Sequence, residues 1–134
     1  MENRTVIIDT NVLIEHLRSK NRSDTLFTKA LSKFNVITTI ITEYELYDGA
    51  YSPQHEQDLI EIFALIDTLP FERSCGELAV KIKRELQIQQ KSIGIRDLFI
   101  AAITCFHNLP LLTRNSKHFS GVKNLELINP EALD

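Results

Sequence analysis

Four places in this chain set a polar, chemically useful residue where an apolar run gives out or a helix begins. They are Asp9 after Val6-Ile7-Ile8, Glu45 in the stretch following Val36–Ile41, Asp97 ahead of Leu98-Phe99-Ile100, and the turn Thr113-Arg114-Asn115 after Leu111-Leu112. Each has a plain structural account. Asp9 can cap a helix starting near Asn11, and Asp97 can answer the positive end of a helix dipole. Glu45 can be one surface acid among the seven between positions 43 and 67. Taken together they say more, because three carboxylates meeting at one sheet edge repel one another. Two unit charges about 4 Å apart cost roughly 4 kcal/mol at an effective dielectric near 20. A fold keeps such a cluster when it is protonated or when a cation neutralises it. With oxygen ligands alone and no His or Cys at ligand spacing, the preferred ions are Mg²⁺ or Mn²⁺ rather than Zn²⁺. Magnesium is commonly completed by substrate phosphates, so the chemistry expected is phosphodiester hydrolysis.

The elements that must position these residues can be read from periodicity. Arg4–Ile8 is a β-branched run with the character of a buried parallel strand, and Val12, Leu13, Ile14 and Leu17 then fall near helical spacing. A second helix carries Leu26, Phe27, Ala30, Leu31 and Phe34, with Ser23 as its expected cap. Val36–Ile41 reads as a second strand ending at Thr42, followed by a helix through Glu45 and Leu46 up to a break at residues 49–53. Leu59, Ile62, Phe63 and Ile66 form a helical stripe, a short strand is expected around Leu69-Pro70-Phe71, and Leu78, Ile82 and Leu86 mark an amphipathic helix. The segment from Asp97 to Ile103 is apolar nearly all round and should be a central, buried helix. Leu109–Thr113 and Leu125–Ile128 read as the last strands. Strands alternating with helices predict an α/β fold, a three-layer α/β/α sandwich around a mainly parallel sheet of 4–5 strands. Open sheets of this kind hold their sites past the carboxyl ends of the strands, and the four polar places lie there or at an adjoining helix start.

Composition bounds the rest. The chain has 134 residues, 43% of them hydrophobic, with only 4 Gly and 4 Pro, which predicts a single domain over residues 1–134 and excludes disorder. No stretch approaches the roughly twenty apolar residues of a membrane span, and the N-terminal run is too short for a signal peptide. Cys75 and Cys105 are expected to be buried thiols in a reducing cytoplasm. The net charge of −3 conceals an uneven distribution. Residues 43–67 hold seven acids and no Lys or Arg, residues 74–96 hold five bases against two acids, and residues 113–124 hold three bases and no acid. Solvated faces would explain this, and so would a basic rim beside an acidic pocket.

These residues carry a resemblance. Val6-Ile7-Ile8-Asp9-Thr10-Asn11-Val12-Leu13-Ile14 resembles the opening motif of PIN-domain ribonucleases, in particular the VapC-like toxins of toxin–antitoxin pairs. Ile41–Ala50 resembles the second motif, Ile95–Ala102 the third, Leu111–Phe119 the fourth, and Leu125–Pro130 the closing strand. Any one of these is weak, but four in order over nearly the whole chain are strong. The resemblance implies a metal-dependent endoribonuclease, with Asp9, Glu45 (rather than Glu43) and Asp97 holding Mg²⁺ or Mn²⁺. It implies supporting roles for Thr10, Asn11 and Thr113. Arg96, Arg114 and Lys117 are placed to hold the RNA backbone. It also implies a homodimer, an antitoxin protein encoded beside it that silences it, and a cytoplasmic location. The chain departs from the family at Asn115, where an Asp is common. An amide can orient water but brings no charge, which puts a second metal in question.

Two rivals stand beside this reading. A phosphatase of the haloacid-dehalogenase type needs an acid two positions after the first Asp, where this chain has Asn11. A catalytically degenerate PIN module that binds RNA or protein without cutting is kept open by Asn115. Of the histidines, His16, His55 and His107 show no ligand pairing, and His118 is expected to be exposed.

Overall fold

The structure is a computed structural model that describes residues 3–133. Its spine is a five-stranded, wholly parallel sheet in the order β3-β2-β1-β4-β5. The strands are β1 (Thr5–Ile8), β2 (Asn35–Thr39), β3 (Asp67–Leu69), β4 (Leu111–Leu112) and β5 (Leu127–Ile128). The helices are α1 (Thr10–Arg18), α2 (Leu26–Lys33), α3 (Ile40–Asp48), α4 (Pro53–Leu65), α5 (Arg73–Ile88) and α6 (Ile95–Phe106).

Alternation along β1 separates the two halves of the core. Val6 and Ile8 face one layer with Val12, Leu13, Phe27, Leu46 and Leu59, whereas Ile7 faces the other with Ile82, Leu86, Ile100 and Ala101. β1 is the middle strand, apolar on both faces as the residue types of Val6-Ile7-Ile8 require, and all three side chains are fully buried. Register pairs Val6 with Val36 and Ile7 with Leu111. The expected three-layer α/β/α sandwich is thus the observed one. The segment from Leu98 to Thr104 belongs to a buried helix packed beside α5 over the Ile7 face of the sheet, with Ile100, Ala101, Ala102 and Ile103 at 0% exposure.

Several boundaries differ from the sequence reading, and caps explain most of them. Ser23 lies inside a short 3-10 turn, Arg22–Asp24, and α2 is capped by Thr25, whose hydroxyl accepts from the Thr28 N–H. β2 stops at Thr39 rather than running on through Ile41, because the Thr39 hydroxyl accepts from Thr42 N–H and opens α3 two residues early. β3 spans Asp67–Leu69 and ends before Pro70, which has no N–H to give to a ladder. β1, β4 and β5 are each shorter than the apolar runs that announced them.

α4 offers a simple check on these caps. Ser52 accepts from His55 N–H at 3.1 Å with Pro53 at the first helical position. Ser52→Ala should cost about 1 kcal/mol, read by calorimetry as a fall in Tm of roughly 3–5 °C. No helix among the described residues is long and apolar enough to cross a membrane. Cys75 and Cys105 are free thiols, the first buried and the second half-buried, where burial pushes the Cys105 thiol up.

Candidate active site

The strand order creates the site. The chain runs outward from β1 to β2 and β3, then returns to place β4 on the other side of β1. The residues just past β1 and β4 therefore flank the point where the connections diverge, and a crevice opens there at the carboxyl ends of a parallel sheet. Asp9 follows β1 and Thr113 follows β4.

Asp9 is 4% exposed and is held on both carboxylate oxygens. Oδ1 accepts from Thr10 N–H at 2.8 Å, while Oδ2 accepts from the Thr113 hydroxyl at 2.8 Å and from Asn11 Nδ2 at 3.1 Å. Thr113 also accepts from Asn11 Nδ2 and from Asn115 N–H, and the Asn11 carbonyl oxygen receives Arg114 N–H. Asn11 and Thr113 thus lock the start of α1 to the end of β4. On the other flank, the Thr10 hydroxyl donates to Glu45 Oε1 at 2.9 Å and lies 3.0 Å from the Thr42 hydroxyl. This ties α3 to α1 and directs the Glu45 carboxylate toward the switch point.

Burial is the main force raising the Asp9 pKa above its ordinary value. The Thr113 and Thr10 hydrogen bonds work against it, and the charges of Asp97 and Glu45 push it further up. The acids from three distant segments therefore act on one another electrostatically. Two of them are also held by basic partners: Glu45 Oε2 accepts from Arg96 Nη1 at 3.3 Å, and Asp97 Oδ2 lies 3.1 Å from His118 Nδ1. With those partners in place, no three His, Cys, Asp or Glu side chains among the described residues stand together closely enough to hold an ion.

The remaining expected residues fall in different places. Arg114 reaches Glu15 on α1, Nε to Oε2 at 2.7 Å, so its guanidinium leans over the α1 flank. Lys117 and Asp97 line a separate cavity of about 500 Å³. Asn115 contributes its backbone N–H to Thr113, and its side-chain amide makes no hydrogen bond among the described residues. Three participants were missed in the sequence. Glu15 lies four residues after Asn11, on the same helical face, and that spacing was a usable signal. Thr42 stands three before Glu45 on α3, the same kind of signal. His118, expected to be merely exposed, is exposed at 57% of its side chain but engages Asp97.

Comparison with known proteins agrees with this fold. The PIN domain family pattern matches residues 6–125. The chain is 31% identical over 126 residues to Ribonuclease VapC1 of Methanocaldococcus jannaschii, covering 94% of this chain and 87% of the relative. It is 28% identical over 131 residues to Ribonuclease VapC of Rickettsia bellii, covering 92% and 94%. Among solved structures, VapBC-1 from nontypeable Haemophilus influenzae superposes with a TM-score of 0.80 at 21% identity, covering 95% of this chain and 98% of that one. FitAcB from Neisseria gonorrhoeae superposes with a TM-score of 0.78 at 25% identity, covering 94% and 98%. With a parallel sheet whose switch point carries Asp9, Glu45 and Asp97, and with the family pattern running over most of its length, the chain belongs to the PIN-domain family, with the VapC ribonucleases among its relatives.

Proposed function

We propose that this chain is a metal-dependent endoribonuclease that hydrolyses RNA phosphodiester bonds as the toxin of a toxin–antitoxin pair. The observation that carries the reading is the buried Asp9 carboxylate at the switch point, whose pKa is raised in part by two further acids from α3 and α6. A donor set made of carboxylate oxygens fits a hard divalent cation such as Mg²⁺ or Mn²⁺. Asp9, Glu45 and Asp97 would hold it. The ion supplies Lewis acidity and makes water a nucleophile at neutral pH.

The chain's own residues do the positioning. Thr113, Asn11 and the Thr10 N–H fix both oxygens of Asp9, so its orientation is settled before any ligand arrives. The Thr10 hydroxyl orients Glu45. Arg96 pairs with Glu45 and His118 contacts Asp97, and both are exposed enough to turn toward an RNA phosphate. Asn115 places an uncharged amide at the fourth position, consistent with one ion rather than two.

The partner belongs to the same proposal. A cavity of about 350 Å³ lies between α1, α3 and α4, lined by Ile14, Leu17, Arg18, Glu45, Leu46 and Tyr51, and so runs up to the acidic site. It suits an antitoxin segment with apolar anchors and a basic tip. Exposed apolar side chains on α3 and α4, among them Tyr44, Ile60 and Leu65, offer further surface to a protein partner or to a second copy in a homodimer.

The rival, a PIN module that binds without cutting, draws on the absence of a ready three-acid grip among the described residues. Incubation with structured RNA separates the two. The enzyme reading expects cleavage with Mg²⁺ or Mn²⁺ that stops in EDTA and returns when the ion is restored. RNA that is bound but left intact with either ion would establish the binding module instead.

A further inference from the structure

We propose that the cavity beside Asp97 is a second phosphate subsite, in which Lys91 and Lys117 hold an RNA backbone phosphate next to the one being cut. This rests on the ribonuclease reading and adds to it a place and a pair of residues. The cavity, about 500 Å³, is built where three segments meet: the loop leaving α5 brings Lys91 and Ser92, the start of α6 brings Asp97, and the 3-10 turn Ser116–Phe119 with the residue after it brings Lys117, His118 and Ser120.

The four cations near the site do not share one fate. Arg96 is taken up by Glu45 and Arg114 by Glu15. Lys91 and Lys117 make no ion pair among the described residues, yet they line the same hollow. Two like charges facing one cavity favour an anion between them. Lysine is a donor-only group, and the Ser92 hydroxyl can donate as well, whereas the Ser120 hydroxyl already donates to Lys117 O at 3.0 Å, so the lining still matches the non-bridging oxygens of a phosphodiester.

Lys91 is also held in place. The turn that closes α5 puts Gln90 in the left-handed region at φ 59, with Gln90 N–H donating to Gln87 O and Lys91 N–H to Leu86 O at 2.9 Å. Gln89 Nε2 then donates to Gly121 O at 3.1 Å, pinning this turn to the loop beyond Ser120. The Lys91 side chain lies directly over Gly121, where φ is +93 and an added Cβ would stand 2.9 Å from Lys91 Cδ and 3.0 Å from its Nζ. Glycine there leaves the room in which the lysine stem rests, so less freedom is lost when an anion binds.

Asp97 decides between ligands. It forms one wall of the cavity and is also one of the two acids acting at Asp9. A ligand reaching both places must carry anionic groups in series, as a polynucleotide strand does and a free phosphate does not.

The test is fluorescence anisotropy of a labelled single-stranded RNA in EDTA, where binding is read without cleavage, using wild type and the Lys91→Ala/Lys117→Ala double variant. The expected result is a loss of about tenfold in affinity at low salt. The slope of log K against log[salt] should fall by about 0.7, the increment for one phosphate on a single strand, with Tm unchanged. Unchanged affinity and slope in the double variant, with wild type binding normally, would overturn the subsite and leave the ribonuclease reading standing. Wild type that neither binds RNA in EDTA nor cuts it with metal would remove both. Titration with inorganic phosphate supplies the last arm. Phosphate binding lost in the variant while RNA affinity stays the same would assign the hollow to a free anion and overturn the proposal.

Discussion

Asp97→Asn is expected to lower RNA cleavage about a thousandfold while leaving the protein folded. The loss follows from removing one of three charges that would grip the ion. Electrostatic stabilisation by a bound ion is worth several kcal/mol, and each 1.4 kcal/mol or so is a factor of ten in rate. The fold should survive because Asp97 sits in the first turn of α6 with its side chain 28% exposed, and its only side-chain hydrogen-bond partner among the described residues is His118. Asparagine keeps a carbonyl oxygen for that contact. Losing the charge forfeits a helix-dipole term of about 0.3–1 kcal/mol, and relief of the repulsion that Asp97 exerts on Asp9 acts in the opposite direction. Tm should therefore move by no more than a few degrees either way. The matching measurement is calorimetric titration with Mn²⁺, whose binding heat should shrink in the variant. Cleavage at the wild-type rate would show that Asp97 is a helix-dipole residue and nothing more.

The second large effect is on stability. Thr113→Val keeps the shape of a side chain that is 1% exposed, so no cavity opens, but it removes the hydroxyl shared by Asp9, Asn11 and Asn115. Hydrogen bonds to a charged group are worth about 1.5–3 kcal/mol, and the Asn115 N–H loses its acceptor as well. A loss of about 2–4 kcal/mol at neutral pH is expected, or roughly 6–15 °C in Tm.

Its pH dependence has a definite sign. Asp9 is held above its ordinary value of 3.8 in the folded protein. Between that value and the folded pKa the native state binds more protons than the unfolded chain, so stability falls as pH rises through this window and stays low above it. The Thr113 hydroxyl pulls the folded pKa down. Removing it pushes that pKa higher still and extends the window upward. The gap between Thr113→Val and wild type should therefore be widest near pH 7 and narrow toward pH 4, measured by urea unfolding at both. A gap that is constant, or larger at pH 4, would show that the hydroxyl does not serve the ionised carboxylate.

The acids were legible because the local pattern exposes them. Val6-Ile7-Ile8 can only be a buried strand, and the first polar residue after a buried strand in a parallel sheet stands at its carboxyl end. Asp9 follows directly from that. Asp97 was legible because a nearly all-apolar helix leaves its opening carboxylate conspicuous. Glu45 was harder: it is one of seven acids in a run without bases, and only the motif around it singled it out. The cations were not legible. Arg96, Arg114 and Lys117 read alike as basic residues beside motifs, yet one meets Glu45, one meets Glu15 and one shares a hollow with Lys91. Lys91 looked like a member of a solvated run, and nothing local linked it to Gly121, thirty positions further on.

The division has a physical cause. Strand or helix, cap or no cap, and which face is apolar are settled within a few residues by side-chain shape, backbone hydrogen bonds and hydrophobic spacing. The amino-acid order alone therefore determined the α/β class, the buried β1, the strand-end position of Asp9 and the helix-start position of Asp97. Which carboxylate meets which base depends on the strand order, on how α3, α5 and α6 dock against the sheet, and on where long flexible side chains come to rest. Those outcomes come from many long-range contacts whose separate energies are small, and only the assembled tertiary structure decided them.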